Sequence, residues 1–383
     1  MKLSILALFS ILLLLIESCS GKTENHRSIE ISERKELVSG AERFKLQKYE
    51  NYSELTIINP WQGARNVFQV YYLVKKGDPI PDGIDSSKVI HVPVKSIVCM
   101  STTYVSMIAA LNEENSISGV SGKSYIYSDL IKENIDLGLI GDVGFEANLN
   151  KELIIKISPD LIMMYGIDSE SSGYIGKIRE LGVRVLYNAD YLETDPLSKA
   201  EWIKVFGALY CKENMADSIF ISESISYNTL KSYIKTNISD RPKVLLGLPF
   251  KDTWYVSPGN SFICKLISDA GGEYLWKDVQ SAVSMPFGIE NVFLQAVNAD
   301  FWLNIGNVTS KEEISVFDQR LLTLPCVKQG NLFNNNKRVT SDGGNDYWES
   351  GSLYPHIILK DIASILHPGL FNDYELIFYR KLY

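Results

Sequence analysis

The middle of the chain, between residues 195 and 237, is a helical stretch that separates two parts of the sequence. It opens at residues 194–196, where either Thr194 or Asp195 can cap a helix and Pro196 stands at a first-turn position. After a break at residues 212–214, apolar residues recur at helical spacing, namely Ala216, Ile219, Phe220, Tyr227, Leu230 and Ile234. Glu223 interrupts this apolar face. A helix of about 25 residues is about 37 Å long, so the pattern predicts a strut between two domains.

Short β-rich runs alternate with amphipathic helical segments on both sides of this strut. Residues 95–100 form an apolar run that ends at polar hydroxyls, and residues 151–164 have the pattern of a helix followed by a strand. This alternation predicts two α/β lobes. Residues 40–94 are strand-like throughout and predict a β-rich N-terminal extension. The predicted segments are a signal peptide (1–18), a flexible tether (19–39), the extension (40–94), an N-terminal lobe (95–212), the interdomain helix (213–237) and a C-terminal lobe (238–383).

The N-terminus has the features of an export signal. Met1-Lys2 precedes an apolar run of about 14 residues, which is shorter than the roughly 20 residues of a membrane span. Ser18 then precedes Cys19, as in the lipobox of bacterial lipoproteins, so Cys19 is predicted to be the lipidated first residue of the mature protein. The alternative is an ordinary signal peptide with an incidental cysteine. Residues 20–35 are polar and suit a flexible tether.

Composition and motifs exclude several function classes. The net charge of −8 and the lack of a Lys/Arg cluster argue against nucleic acid as a partner. The four histidines form no close pair, and no nucleophile elbow or phosphate-binding loop occurs, so we expect no metal site, no cofactor and no enzyme. The best nucleophile candidate, Cys264 with a histidine, is a weak coincidence. Pairing among Cys99, Cys211, Cys264 and Cys326 cannot be deduced from sequence, and free buried thiols are favoured.

A family resemblance appears once both halves are compared in order. The first half contains STTYVSMIAAL, GVSG, DVG and NLNKELIIKISPDLIMM, and the second contains TWYVSPGNSFICKLISDAGG, IENVFLQAVNADFWLNIG, NDYWESG and LKDIASILHPGLF. This series, over about residues 95–383, resembles the class III substrate-binding proteins of metal-chelate ABC importers. The resemblance implies an α/β fold of two Rossmann-like lobes joined by a long rigid interdomain helix. It also implies a periplasmic receptor that captures an iron-siderophore, haem or cobalamin chelate and delivers it to an inner-membrane permease.

The resemblance further implies permease-docking residues. Members of the family use one glutamate on each lobe to hold arginines of the permease, and the matching positions are Glu152 and Glu290. Glu290 lies ten residues before Asp300, whereas the family spacing is eight. The alternative is that both are first-turn carboxylates, stabilised by the helix dipole by about 0.3–1 kcal/mol.

Aromatic and hydroxyl residues at predicted loop positions are candidates for ligand contact. Hydroxyls after the strand 95–100 lie where open α/β sheets bind ligands. The alternative is that they only cap the following helix. The predicted ligand-binding residues are Thr102, Thr103, Tyr125, Tyr127, Trp254, Tyr255, Phe287 and Trp348. We therefore expect a monomeric lipoprotein receptor for a metal chelate of unspecified type. An exported lipoprotein with an enzymatic or structural role is the alternative.

Overall fold

The computed structural model describes residues 35–145, 148–166, 178 and 182–383. The predicted signal peptide, Cys19 and most of the tether lie outside these residues. Within the described part, strands form three five-stranded sheets and one two-stranded ribbon. The helices described there are too short or too polar to cross a membrane.

The first sheet consists of four strands of the N-terminal extension and one strand, Lys35–Glu36, at the end of the segment predicted as a flexible tether. The folded part therefore begins before the predicted boundary at residue 40. The strands of this sheet are β1 (Lys35–Glu36), β2 (Phe44–Lys48), β3 (Tyr52–Ile58), β4 (Phe68–Lys75) and β5 (Val89–Val92). Neighbouring strands are antiparallel, except that β5 runs parallel to β4. The buried Glu201 fixes the start of this sheet, because its carboxylate accepts backbone N–H groups of Ser39, Gly40 and Ala41 at 2.8–2.9 Å. Lys204 pairs with the same carboxylate at 2.7 Å.

The N-terminal lobe contains an all-parallel sheet of order β10-β9-β6-β7-β8. Its strands are β6 (Ile97–Cys99), β7 (Ile117–Val120), β8 (Gly141–Asp142), β9 (Leu161–Met164) and β10 (Val185–Tyr187). Helices Thr102–Ala110, Asp129–Asp136 and Lys151–Ile157 connect them. Since all five strands are parallel, their carboxyl ends meet at one edge of the sheet, where such folds bind ligands.

The C-terminal lobe repeats the pattern with differences at its edges. Its strands are β11 (Lys243–Leu246), β12 (Thr253–Val256), β13 (Glu273–Tyr274), β14 (Met285–Gly288), β15 (Phe301–Leu303), β16 (Leu332–Asn334) and β17 (Arg380–Lys381). The main sheet has order β13-β11-β15-β16-β17, with β17 antiparallel. β12 and β14 form a separate antiparallel ribbon, and the sequence did not indicate β14. The helices are Phe262–Asp269, Ile289–Ala296, Pro325–Lys328, Asp346–Glu349 and Pro355–Leu366.

The long interdomain helix is confirmed and spans Glu213–Asn237, 25 residues. Two shorter helices, Pro196–Ala200 and Ile203–Tyr210, precede it. Of the two candidate caps, Asp195 is the one that caps the first of these helices, by accepting the N–H groups of Leu197 and Ser198.

The long helix takes part in both hydrophobic cores. Its Ala216 and Phe220 belong to the core of the N-terminal lobe, whereas its Tyr227 and Ile234 belong to that of the C-terminal lobe. Glu223, which interrupts the apolar face, lies between these two sets and is buried. Its carboxylate accepts the backbone N–H of His356 at 2.9 Å and lies 2.6 Å from Nδ1 of the same residue. The long helix is thus held near its midpoint by the helix Pro355–Leu366 of the C-terminal lobe.

The two lobes also touch directly beside the edge where strands end. The C-terminal-lobe helix Asp346–Glu349 packs against the N-terminal-lobe helix Thr102–Ala110. Glu349 accepts the backbone N–H groups of Tyr127 at 2.6 Å and Ser128 at 3.0 Å. Gly344 approaches so closely that an added Cβ would lie 2.2 Å from the carbonyl oxygen of Ile126, so only glycine fits there.

Burial raises the pKa of Glu349 to about 7, against the opposing effect of its hydrogen bonds to Tyr127 and Ser128. Between about pH 4.5 and pH 7 the folded protein therefore keeps a proton on Glu349 that the unfolded chain has lost. The contribution of this group to stability is complete below that window and is lost as the pH rises through it.

We predict that Glu349→Gln flattens the pH dependence of stability. The unfolding free energy of the wild type should fall relative to the variant by roughly 2–3 kcal/mol between pH 4.5 and pH 8, measured by urea unfolding. Glu50→Gln, at an exposed position, is the matched control and should keep the wild-type slope. Equal slopes for the wild type and Glu349→Gln would contradict the assignment.

Candidate functional site

A cavity of about 660 Å³ opens between the two lobes, within the range of about 300–1,000 Å³ that is usual for small-molecule sites. The residues that line it are Met100, Ser101, Thr102, Thr103, Tyr104, Ser121, Tyr125, Phe145, Tyr165, Asp190, Tyr191, Gly343, Asn345 and Trp348. Most belong to the N-terminal lobe. Gly343, Asn345 and Trp348 come from the C-terminal lobe, on the segment that carries the lobe contact at Glu349.

The parallel sheet explains why these side chains meet. Residues 100–104 follow β6, Ser121 follows β7, Tyr165 follows β9, and Asp190-Tyr191 lie just beyond β10. Four strands of one sheet thus deliver their first carboxyl-terminal residues to one place. Ser101 makes no side-chain cap of the following helix. Instead its hydroxyl bonds that of Thr103 at 3.0 Å, so the side chain of Ser101 does not serve as a helix cap.

Aromatic rings form much of the cavity wall. Tyr125 and Phe145 lie with ring centroids 6.1 Å apart, and Tyr165 meets Tyr191 edge-on at 6.2 Å. Trp348 faces them from the other lobe and remains 52% exposed, and Tyr125 remains 56% exposed. Large rings so accessible in a concave site can be buried by a bound molecule, so this wall suits the apolar parts of a ligand.

Two polar groups of the wall, Asp190 and Tyr104, are buried. Their exposed fractions are 3% and 1%, and Oδ2 of Asp190 and the Tyr104 hydroxyl lack hydrogen-bond partners among the described residues. Burial raises the pKa of Asp190, while the charge of Lys199 and a hydrogen bond from Thr103 act in the opposite direction. The pKa of Tyr104 is also raised, first by burial and then by the charge of Asp190.

The predicted contact residues fall into three groups. Thr102, Thr103, Tyr125 and Trp348 line the cavity. Tyr127 lies at the lobe contact instead, where the guanidinium of Arg338 is 5.1 Å from its ring centroid. Trp254, Tyr255 and Phe287 belong to the ribbon of β12 and β14 and are not among the lining residues.

Trp254 is a core residue of the C-terminal lobe, which differs from the expectation of ligand contact. Its side chain is fully buried, packs on Trp302 with ring centroids 5.7 Å apart, and donates its indole N–H to the Leu246 carbonyl at 3.0 Å. Alternation along β12 turns Trp254 inward and Tyr255 outward, since successive side chains of a strand point to opposite faces.

Several lining residues were missed by the sequence reading, most notably Asp190, Tyr165 and Ser121. The rule that selected Thr102 and Thr103, polar residues directly after an apolar strand, applies equally to Ser121 and to the Asn188-Ala189-Asp190 turn. Gly343 and Asn345 carried no comparable signal, because the turn that contains them reads as an ordinary Gly-rich loop.

Two chemical features considered from the sequence, a metal site and a nucleophilic Cys264, can be compared with the described residues. They contain no group of three or more His, Cys, Asp or Glu side chains placed to hold a metal ion. Cys264 is buried, and burial raises the pKa of its thiol to about 11, so it stays protonated near neutral pH and is a poor nucleophile. Cys99, Cys211, Cys264 and Cys326 are all free thiols, and all but Cys211 are buried.

The two candidate docking glutamates lie in the first turns of their helices, Lys151–Ile157 and Ile289–Ala296. Glu152 is exposed. Glu290 is also exposed, but its carboxylate already pairs with Arg320, with both oxygens within 3.0 Å of Nη1. Asp318 holds the same guanidinium. The two glutamates therefore differ in charge environment.

Comparisons with known proteins agree with the architecture. No protein-family model matches the chain. Among solved structures, a periplasmic heme binding protein from Pseudomonas aeruginosa superposes with a TM-score of 0.58 at 14% identity, covering 76% of this chain and 98% of that one. An ABC-type Fe³⁺-hydroxamate transport system from Saccharomonospora viridis gives 0.53 at 16% identity, covering 72% and 94%. At such identities the likeness shows the fold alone, and it confirms the two-lobe α/β fold.

A sequence relative gives the stronger relation. Uncharacterized lipoprotein MJ0878 of Methanocaldococcus jannaschii is 33% identical over 352 residues, which cover 85% of this chain and 81% of that protein. Identity at this level over most of both chains indicates common ancestry. The chain therefore belongs to the family of this M. jannaschii lipoprotein.

Proposed function

We propose that this protein is the solute-binding component of an ABC importer, which captures a metal chelate between its lobes and delivers it to a permease. The observation that carries the proposal is the inter-lobe cavity, with exposed rings from both lobes at the carboxyl ends of parallel strands. The chelate is an iron-siderophore, haem or cobalamin. The names of the two structural neighbours, which mention heme and Fe³⁺-hydroxamate, support this ligand class.

The energetics of association require several rings. One buried ring of about 200 Å² contributes at most about 5 kcal/mol at about 25 cal/mol per Å², whereas association costs about 4–15 kcal/mol. Two or three rings are needed for micromolar binding, and Tyr125, Phe145 and Trp348 supply that number.

The alternative of an enzyme is weakened by the protonated thiol of Cys264, because this alternative then lacks an activated nucleophile.

We predict that Trp348→Ala and Tyr125→Ala each weaken chelate binding about 10- to 100-fold, because each removes an apolar contact worth about 1.5–3 kcal/mol. Binding is measured by tryptophan fluorescence and thermal shift with haem, cobalamin and a panel of ferric siderophores. Tyr255→Ala is the matched control, since Tyr255 is equally exposed, at 55%, but lies on the ribbon outside the cavity. Loss of binding in Tyr255→Ala alone would move the site to the ribbon, and no binding of any chelate would refute the function.

Docking to the permease is the second part of the proposal, through Glu152 on one lobe and Glu290 on the other. Charge-assisted pairs with permease arginines would set register and orientation more than affinity. Because Arg320, which Asp318 also holds, already pairs with Glu290, a permease arginine there must join or displace Arg320. We infer that Glu152 makes the larger contribution.

We predict that Glu152→Ala lowers stimulation of the importer ATPase in proteoliposomes more than Glu290→Ala does, and that the double variant abolishes it. Chelate affinity and melting temperature should stay close to wild-type values, because both side chains are exposed and outside the cavity. Glu312→Ala, another exposed first-turn carboxylate, is the control. Normal transport by the double variant, or loss of chelate binding in it, would refute docking at these residues.

The location that we propose is the outer face of the membrane, with the chain anchored through lipidated Cys19. The apolar run before Cys19 and the name of the M. jannaschii relative support an anchored, exported protein. Several acyl chains would hold it firmly, whereas one chain gives only marginal binding.

We predict that Cys19→Ala releases the protein from the membrane fraction. The measurement is the distribution between pellet and supernatant after cell lysis and ultracentrifugation. Cys211→Ala, at an exposed thiol far along the chain, should remain membrane-bound. Complete retention of Cys19→Ala with membranes would contradict the anchor.

A further inference from the structure

Asp190 is a buried acidic residue in the wall of the cavity, where its charge can affect which ligands bind. It follows β10 at the sheet edge where four strands end, and it lines the inter-lobe cavity. Its backbone N–H is fixed by the Asn188 side chain at 2.8 Å, and Asn188 is itself fully buried. The backbone of Asp190 is thus held in place. Thr103 donates a hydrogen bond to its carboxylate, whereas Oδ2 lacks a hydrogen-bond partner among the described residues. A buried carboxylate oxygen without a donor is costly, and a ligand donor would relieve that cost.

The described positive charges do not neutralise this carboxylate by direct contact. No Lys, Arg or His occurs among the described residues that line the cavity. Lys199 acts on Asp190 from a distance, since no ion pair within 4.0 Å joins them, and its ammonium lies 5.2 Å from the ring centroid of Phe262. On neighbouring segments, Lys123 pairs with Asp136, and Arg338 pairs with Asp346.

One feature of the cavity favours negative charge, namely the N-terminus of the helix Thr102–Ala110, which opens at its edge. A helix N-terminus is equivalent to roughly half a positive charge, which is less than the full charge of an ionised Asp190. The Tyr104 hydroxyl, also without a partner among the described residues, is neutral and can donate or accept. An uncharged group that carries both a donor and an acceptor, such as an amide, suits this combination better than a carboxylate.

We propose that Asp190 makes the cavity selective for chelates without net negative charge, which present an N–H or O–H donor to Oδ2 of this residue. The inference rests on the proposed function and narrows its ligand class. It favours uncharged or cationic hydroxamate and amide-rich chelates, and it disfavours catecholates and haem, whose carboxylates or phenolates would face Asp190. Asp190 is thereby a specificity-determining residue of the site.

The test compares chelates of different charge with the purified full-length protein. The probes are ferrichrome, an uncharged ferric tris-hydroxamate; ferrioxamine B, which adds a free ammonium; cyanocobalamin, which is uncharged and amide-rich; ferric enterobactin, an anionic ferric tris-catecholate; and haem, with two propionates. Dissociation constants are measured by fluorescence quenching or calorimetry at pH 7.5. We expect the tightest binder to be one of the first three.

Variants then assign the preference to Asp190. Asp190→Asn keeps the size and removes the charge, and it should weaken the tightest uncharged or cationic probe about ten-fold or more, while binding of the anionic probes stays equal or improves. Asp278→Asn, the same change at an exposed position outside the cavity, should leave all values unchanged. Tyr104→Phe should weaken the same probe several-fold without lowering the melting temperature, because the hydroxyl that it removes has no partner among the described residues.

The outcomes separate this inference from the proposed function. If no probe binds the wild type, the receptor function itself fails, and the inference fails with it. If a probe binds but haem or ferric enterobactin binds tightest, the charge preference is refuted and the receptor function stands. If an uncharged or cationic probe binds tightest but Asp190→Asn melts like the wild type and binds it equally well, Asp190 is not the determinant. The wild-type ranking decides the charge preference even if Asp190→Asn fails to fold.

Discussion

The helix Glu213–Asn237 is the element on which both lobes depend, because one apolar face contributes to two separate hydrophobic cores. Ala216 and Phe220 are buried in one core, and Tyr227 and Ile234 in the other. Neither core is complete without its half of the helix. Ordering this helix costs conformational entropy once, whereas its burial stabilises both cores, so the stabilities of the two lobes are coupled. Glu223 lies between the residues that belong to the first core and those that belong to the second. Its contact with His356 fixes the helix against the C-terminal lobe.

The long helix joins the lobes, and a second, smaller contact shapes the cavity between them. Glu349 and Gly344 bring one short segment of the C-terminal lobe against residues 126–128. Trp348 is carried on that same segment and faces Tyr125 across the cavity. The geometry of the cavity therefore depends on two hydrogen bonds from backbone N–H groups to the Glu349 carboxylate and on one close backbone approach at Gly344. Because Glu349 has a raised pKa, this contact also links the site to pH.

The cavity combines exposed rings with a buried, unsatisfied carboxylate, and both features are unfavourable for the free protein. Large exposed rings leave apolar area in water, and Asp190 is desolvated without a donor to Oδ2. Such costs are typical of sites in which the ligand completes the interactions. The two lobes contribute unequally to this cavity. The strand ends of the N-terminal lobe provide most of its polar groups, and the main contribution of the C-terminal lobe is the ring of Trp348.

The sequence by itself determined the fold, since strand alternation, glycine turns and the apolar face around Glu223 are local patterns with fixed periods. It also selected Thr102, Thr103 and Tyr125, which line the cavity because loops after the strands of a parallel sheet share one edge, and Trp348, which reaches the cavity from a helix of the other lobe. It could not separate Trp254 from Tyr255, since which face of β12 is buried depends on packing against Trp302 in another strand. Nor could it show that Arg320 occupies Glu290 from thirty residues away, or that Asp190 lacks a donor. Contacts between residues distant in sequence decide these points, and only the tertiary structure brings such residues together.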